Sequence, residues 1–239
     1  MNTTKNPPSP DWPESFHSAW QMICSRPADL EGLPASRWKH AWSTHPSAAR
    51  RIHNAVLWQK PRTIIETGTF EGLGTYAMAK AAAINGGGTI YTVDYDGDPE
   101  ASIPPEDWQQ LRDFRLENLE KARADFPSVK IVFLDGDSRI VLPHLFRDEK
   151  IVWDLFFQDS MHFTAGILAE WRIVKPHASP QALAIFDDVC LDWRKLPSHL
   201  AGHRDFCLHF VLCEALGRGW RWKSTGEGRG QFFAKKMRD

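Results

Sequence analysis

The chain has 239 residues, with 29 lysines and arginines against 30 aspartates and glutamates, for a formal net charge of −1. That length suits one domain with an N-terminal extension, and the near-neutral balance argues against a nucleic-acid or anionic-membrane surface. No apolar run reaches the roughly 18 residues of a membrane helix, no signal peptide is expected, and four cysteines (Cys24, Cys190, Cys207, Cys213) without a C-x-x-C pair read as reduced thiols of a cytoplasmic protein.

Residues 1–13 are polar and proline-rich and are predicted to be a disordered tail. Residues 14–60 read as an N-terminal helical cap. Phe16, Trp20 and Ile23 fall at helical spacing over Glu14 to Cys24, and Ile52, Val56 and Leu57 do so over Ser47 to Gln59. These helices could also serve as a homodimer surface. The eleven tryptophans are mostly core candidates, with Trp38, Trp42 and Trp193 as conceivable substrate contacts.

From residue 61 to 239 strands and helices alternate. Thr63 to Thr67 is a short strand carrying Glu66, and Gly68, Gly72 and Gly74 follow before an alanine-rich helix from Thr75 to Ala83. Glycines there allow close backbone approach and expose N–H groups at the helix start. A carboxylate at the end of an apolar strand is costly unless hydrogen-bonded, and an amino-bearing ligand would satisfy Glu66; a solvated acid beside a glycine turn is the simpler alternative. The order Gly68-Thr-Phe-Glu-Gly72 does not give the G-x-G-x-x-G dinucleotide fingerprint, which disfavours a nicotinamide dehydrogenase.

The second strand, Thr89 to Asp94, ends in an acid placed to accept from the hydroxyls of a ribose. The loop Tyr95 to Glu106 contains Asp96 and Asp98 but lacks the other ligands of a calcium loop. Trp108 to Phe126 is predicted as a charged, solvated helix. The third strand, Val129 to Leu134, precedes Asp137 and Ser138 and a short helix through Leu145. The fourth, Trp153 to Gln158, precedes Asp159, His162 and a helix to Lys175. The fifth, Ala182 to Phe186, ends in Asp187-Asp188; a helix over Pro197 to Leu216 and a hairpin of Trp220 to Ser224 and Gln231 to Lys235 complete the chain. The pattern predicts an α/β, Rossmann-like doubly wound sheet of seven strands, mostly parallel, with ligands along its carboxyl edge.

The Glu-x-Gly turn, the acid ending the second strand, the acids after the fourth and fifth strands and the terminal hairpin together resemble a class I S-adenosylmethionine-dependent methyltransferase. Within that class they are similar to the metal-dependent O-methyltransferases of the catechol and macrolide-sugar types, over roughly residues 60 to 239. The resemblance implies that Glu66, Gly68, Thr69 and Gly74 surround the amino acid part of the cofactor, that Asp94 holds the ribose, and that Asp137 and Ser138 hold the adenine. It implies Asp159, Asp187 and Asp188 as ligands of Mg²⁺ or another divalent cation, with Asp159 also facing the cofactor, and His162 as general base. Asp188 stands where the catechol enzymes carry asparagine, and Lys175 to Pro180 replaces the family's Pro-Gly-Gly. Taken without the resemblance, Asp187-Asp188 also reads as a helix cap or solvated turn.

The chemistry agrees with that assignment. Converging carboxylates need a cation, and oxygen-only ligation suits magnesium. A divalent ion activates and fixes an alcohol for in-line displacement on a sulfonium methyl, and a histidine suits the proton transfer. The expected function is O-methylation of a small-molecule hydroxyl, on a phenol or a sugar-bearing natural product. The alternatives are a metal-independent N- or O-methyltransferase and a non-catalytic cofactor-binding protein.

Overall fold

The structure is a computed structural model that describes residues 14–37, 45–95, 105–161, 163–190, 209–217, 219–225 and 229–237. The predicted tail, most of the 95–106 loop, His162, Trp38, Trp42, Asp192, Trp193 and residues 197–208 lie outside the described residues. Seven strands form one sheet in the order β3-β2-β1-β4-β5-β7-β6. They are β1 (Thr63–Thr67), β2 (Gly88–Asp94), β3 (Val129–Asp135), β4 (Trp153–Gln158), β5 (Ala178–Cys190), β6 (Trp220–Ser224) and β7 (Arg229–Lys236). The first five are parallel, and β7 runs antiparallel to both β5 and β6.

Period-two alternation divides two cores between the faces. Ile65, Phe156 and Phe186 pack on one side, where α5 (Ser138–Glu149), α6 (Thr164–Val174) and α7 (His209–Leu216) cover the sheet. Ile64, Phe157 and Ile185 pack on the other, beneath α1 (Glu14–Ser25), α2 (Pro46–Gln59), α3 (Leu73–Ile84) and α4 (Pro105–Asp125). Among the described tryptophans, Trp153, Trp171 and Trp220 cluster in the first core, with ring centroids of Trp171 and Trp220 at 5.0 Å. Core packing explains these three.

Several element boundaries differ from the sequence expectation. Helix α3 begins two residues earlier, at Leu73, because Gly72 adopts φ +81 and serves as its N-cap. Helix α5 runs past Leu145 to Glu149. Strand β5 is much longer than Ala182 to Phe186, since pairing with β7 extends it beyond Asp187-Asp188. Helix α4 is not simply a solvated face: Leu111, Arg115, Asn118, Leu119 and Ala122 recur at helical spacing and are buried against the glycine turn and β3. Helices α1 and α2 contribute Ile23, Ile52, Ala55 and Val56 to the second core.

The strand order turns back between β1 and β4, whose carboxyl ends open the crevice where this architecture binds ligands. Asp159 N donates to Thr67 O across it at 2.8 Å. Gly68 permits that approach: its φ is +88, and a Cβ there would stand 2.2 Å from the Asp159 carbonyl oxygen. Gly68→Ala is expected to cost about 2–4 kcal/mol, from overpacking and a left-handed alanine. Denaturant unfolding would show it as a lowered midpoint.

Candidate active site

Every predicted ligand-binding residue in the described chain comes to the carboxyl edge of the sheet. Gly68 and Thr69 follow β1, Asp94 ends β2, Asp137 and Ser138 follow β3, and Asp159 follows β4. Asp187 and Asp188 lie within β5. Pairing of β5 with β7 is regular up to Phe186, which opposes Phe232, and resumes at Val189, which opposes Gly230. Two residues, Asp187 and Asp188, therefore face the single Gln231. Such a bulge re-aims side chains, and Asp188 takes φ +56 within it. A left-handed backbone, which aspartate tolerates better than most residues, points to a local demand on its direction.

That demand is visible in the carboxylates. One oxygen each from Asp159, Asp187 and Asp188 lies within 4.8 Å of the others, and all three residues are half-buried. Ligand oxygens on opposite sides of a hard divalent ion stand roughly 4–5 Å apart, given metal–oxygen distances of about 2.0–2.6 Å. The donor set and its spacing both fit such an ion.

Glu66 lies one residue before the end of β1 and is 1 % exposed. Its Oε2 accepts from the Thr75 hydroxyl, and its Oε1 is buried with no partner among the described residues. Burial pushes its carboxyl up to about 7, the Thr75 and Thr92 hydroxyls pull against that shift, and Asp94 adds to it. Thr69 is also buried and shares a 2.6 Å hydrogen bond with Thr92, so its side chain braces the turn from below. Gly74 is buried in the first turn of α3.

Asp94 does more than end a strand. Its Oδ2 accepts from Phe70 N at 2.6 Å and lies 3.2 Å from the Arg115 guanidinium, while Oδ1 accepts from Tyr95 N at 2.8 Å. Arg115 also donates to Phe70 O at 2.7 Å. Asp94 and Arg115 thus grip both sides of Phe70, which adopts φ +48 in the glycine turn. Glu71, 1 % exposed, accepts from Ser36 Oγ at 2.7 Å and Arg37 N at 2.9 Å, fastening the N-terminal segment to the same turn.

Asp137 caps α5 by accepting from Arg139 N, and its ion pair with the Arg139 side chain holds the carboxyl below its ordinary range. The Ser138 hydroxyl turns inward, to Glu170 of α6. Glu170 is 0 % exposed and also accepts from Thr67 Oγ1 at 3.1 Å and Ser160 Oγ at 2.7 Å. One carboxylate thereby joins the end of β1, the start of α5 and the loop after β4. Glu170, Arg115 and Glu71 were not singled out by the sequence pattern. Arg115 lies on a charge-rich helix, where only its helix-period spacing with Leu111 and Leu119 hinted at burial, and a single glutamate in an apolar helix or a glycine turn carries no such signal.

Residues 65–189 match the family model described as a methyltransferase domain. The chain belongs to that family. It is a class I S-adenosylmethionine-dependent methyltransferase. No curated protein matches its sequence. Among solved structures, the methyltransferase is similar to the O-methyltransferase from Bacillus cereus in complex with SAH, at TM-score 0.60 and 16 % identity over 95 % of this chain and 92 % of that one. It is similar to TomG from Streptomyces achromogenes, an O-methyltransferase involved in tomaymycin synthesis and bound to SAM, at TM-score 0.55 and 16 % identity over 96 % and 92 %. The SAH-bound methyltransferase PaMTH1 from Podospora anserina gives TM-score 0.56 and 16 % identity over 97 % and 91 %. At these identities the likeness concerns the fold.

Glu66 sets a pH dependence of stability. Its folded value of about 7 exceeds its ordinary 4.5, so between those values the folded chain binds the extra proton. Stability from this group is therefore present below the lower value and is lost as pH rises through the upper one, by about 3 kcal/mol in all. In Glu66→Gln that loss is expected to vanish, which urea unfolding at pH 5 and pH 8 would measure against the wild type.

Proposed function

We propose that the protein is an S-adenosylmethionine-dependent O-methyltransferase that uses a divalent cation, Mg²⁺ above all, and methylates a hydroxyl on a small molecule such as a phenol or a sugar-bearing natural product. The observation that carries this reading is the convergence of Asp159, Asp187 and Asp188 beside the glycine turn. Three like charges this close repel strongly, and a hard cation is the partner their oxygens suit.

The cofactor lies along the crevice between β1 and β4. Backbone groups at Gly68 and Thr69 meet its amino acid end, and the buried Oε1 of Glu66 accepts from its amino group. Asp94, held in place by Phe70 and Arg115, presents its carboxylate to the ribose hydroxyls. The adenine rests at the start of α5, where Asp137 and Ser138 are positioned by Arg139 and Glu170. Asp159, at the end of β4, joins the two halves of the site.

Methyl transfer is an in-line displacement: the acceptor oxygen attacks the methyl carbon, the carbon–sulfur bond breaks, and the sulfonium becomes a thioether. A divalent ion in the triad would neutralise the carboxylates and lower the pKa of the acceptor hydroxyl. His162, three residues beyond Asp159, takes the hydroxyl proton as general base. The crevice walls hold the acceptor near the methyl carbon, which removes the entropic cost of encounter.

Removal of divalent ions with EDTA is expected to abolish turnover and Mg²⁺ to restore it; activity that survives chelation would take the ion out of the mechanism. Asp187→Ala should lose metal-dependent turnover while S-adenosylhomocysteine still binds with unchanged affinity by calorimetry. His162→Ala is expected to slow the reaction by roughly 10²–10⁴-fold in single-turnover assays. A rate near that of the wild type would mean that the proton leaves by another route.

A further inference from the structure

The residue opposite the acidic bulge has an unsatisfied polar group. Gln231 is 0 % exposed, and its Oε1 accepts from Arg51 Nε of α2 at 2.7 Å. Because a guanidinium only donates, the oxygen must face Arg51 and the amide nitrogen must face away. That nitrogen, Nε2, is buried with no partner among the described residues. Buried amide donors are rarely left unmatched.

Arg51 is a half-buried cation beside this amide. Nε is the only nitrogen of its side chain with a hydrogen-bond partner among the described residues. Burial lowers its pKa, Asp187 is the carboxylate acting on it most strongly, and Arg50 opposes it. Arg50 Nε is likewise buried and unpartnered among the described residues, and Lys223 of β6 joins the two arginines around the Cys24 thiol. Of these cations Arg51 is the one that also faces the triad, through Asp187. A divalent ion would cancel most of the triad's charge, leaving the planar Arg51 fork for a different anion.

We propose that Arg51 and Gln231 form a subsite for an acid group, so that the preferred acceptor carries an oxyanion, a carboxylate or a phosphate, on the same small framework as the hydroxyl that is methylated. This rests on the O-methyltransfer reading of the site and names the class of its substrate. The guanidinium engages the oxyanion from one side, and Gln231 Nε2 donates from the other. The hydroxyl then falls at the Asp159, Asp187 and Asp188 carboxylates across the bulge.

The test is calorimetry on the full chain with S-adenosylhomocysteine and Mg²⁺, titrated with 3,4-dihydroxybenzoate, 3,4-dihydroxyphenyl phosphate and the neutral 3,4-dihydroxybenzamide. At least one anion is expected to bind roughly 10–100-fold more tightly than the amide, and the better anion identifies the acid group. Arg51→Gln should remove that preference while leaving amide and S-adenosylhomocysteine affinity unchanged. If that variant no longer binds S-adenosylhomocysteine, Arg51→Lys carries the test, with the preference reduced rather than lost. Equal binding of anions and amide, or equal weakening of all three in the variant, would overturn the subsite. Methylation of the amide in the presence of Mg²⁺ separates the two readings. An amide that is methylated with no preference for acids removes the subsite alone, whereas diphenols neither bound nor methylated remove the subsite together with the phenol form of the proposed function.

Discussion

The site depends on holding three aspartates together against their own repulsion. Unit charges about 4 Å apart repel by about 4 kcal/mol at an effective dielectric near 20, and the chain must hold them there by covalent and hydrogen-bonded structure. It does so in two ways. Asp159 is fixed by its backbone N–H on Thr67 O, which depends on the absence of a side chain at Gly68. Asp187 and Asp188 are fixed by the bulge, where β5 has two residues against one on β7 and Asp188 accepts a left-handed backbone. Regular pairing would have sent these neighbours to opposite faces of the sheet. The antiparallel β7 therefore helps to build the triad.

A second constraint organises the cofactor side. Phe70 is a large residue with positive φ in a turn where glycine would be unstrained. Asp94 holds its N–H and Arg115 holds its carbonyl, and the two side chains pair with each other. A buried ion pair gains little net stability, because desolvation offsets the attraction, yet loss of either partner leaves a charge stranded. The arrangement is best understood as one that fixes direction. It sets the turn, orients Asp94, and ties both to α4, while Glu71 ties the same turn to the segment after α1.

The mostly parallel seven-stranded sheet and the edge position of its strand-end acids were legible in the sequence, because strand period and strand-end acids are local signals; the strand order was not. Chain position puts Asp159, Asp187 and Asp188 near one rim, since a parallel sheet brings its carboxyl ends together, but only the family resemblance marked them as a ligand set. The bulge was not legible, because it arises from pairing with β7 some forty residues later in the chain. Glu170 and Arg115 were hidden for a related reason. Each is a charged residue on a helix with other charges nearby, and composition cannot show that its particular turn faces the core. Helix α4 reads as charged along its length, and only the packing of Leu111, Arg115, Asn118 and Leu119 against the glycine turn shows otherwise.

Burial divides the acids at this edge into two working groups. Glu66 and Glu170 are sealed from solvent, and burial raises both carboxyls, the first to about 7. Hydroxyls from Thr67, Ser138 and Ser160 satisfy Glu170, while Thr75 meets only one oxygen of Glu66. Glu170 therefore braces its neighbours, whereas Glu66 keeps one buried oxygen for a ligand. Asp159, Asp187 and Asp188 are only half-buried, and each remains close to two others. Their mutual repulsion is what a bound cation would relieve. Depth thus separates acids held inside the protein from acids turned to the crevice, and the boundary between the two groups runs along the ends of β1 and β4, where the crevice opens.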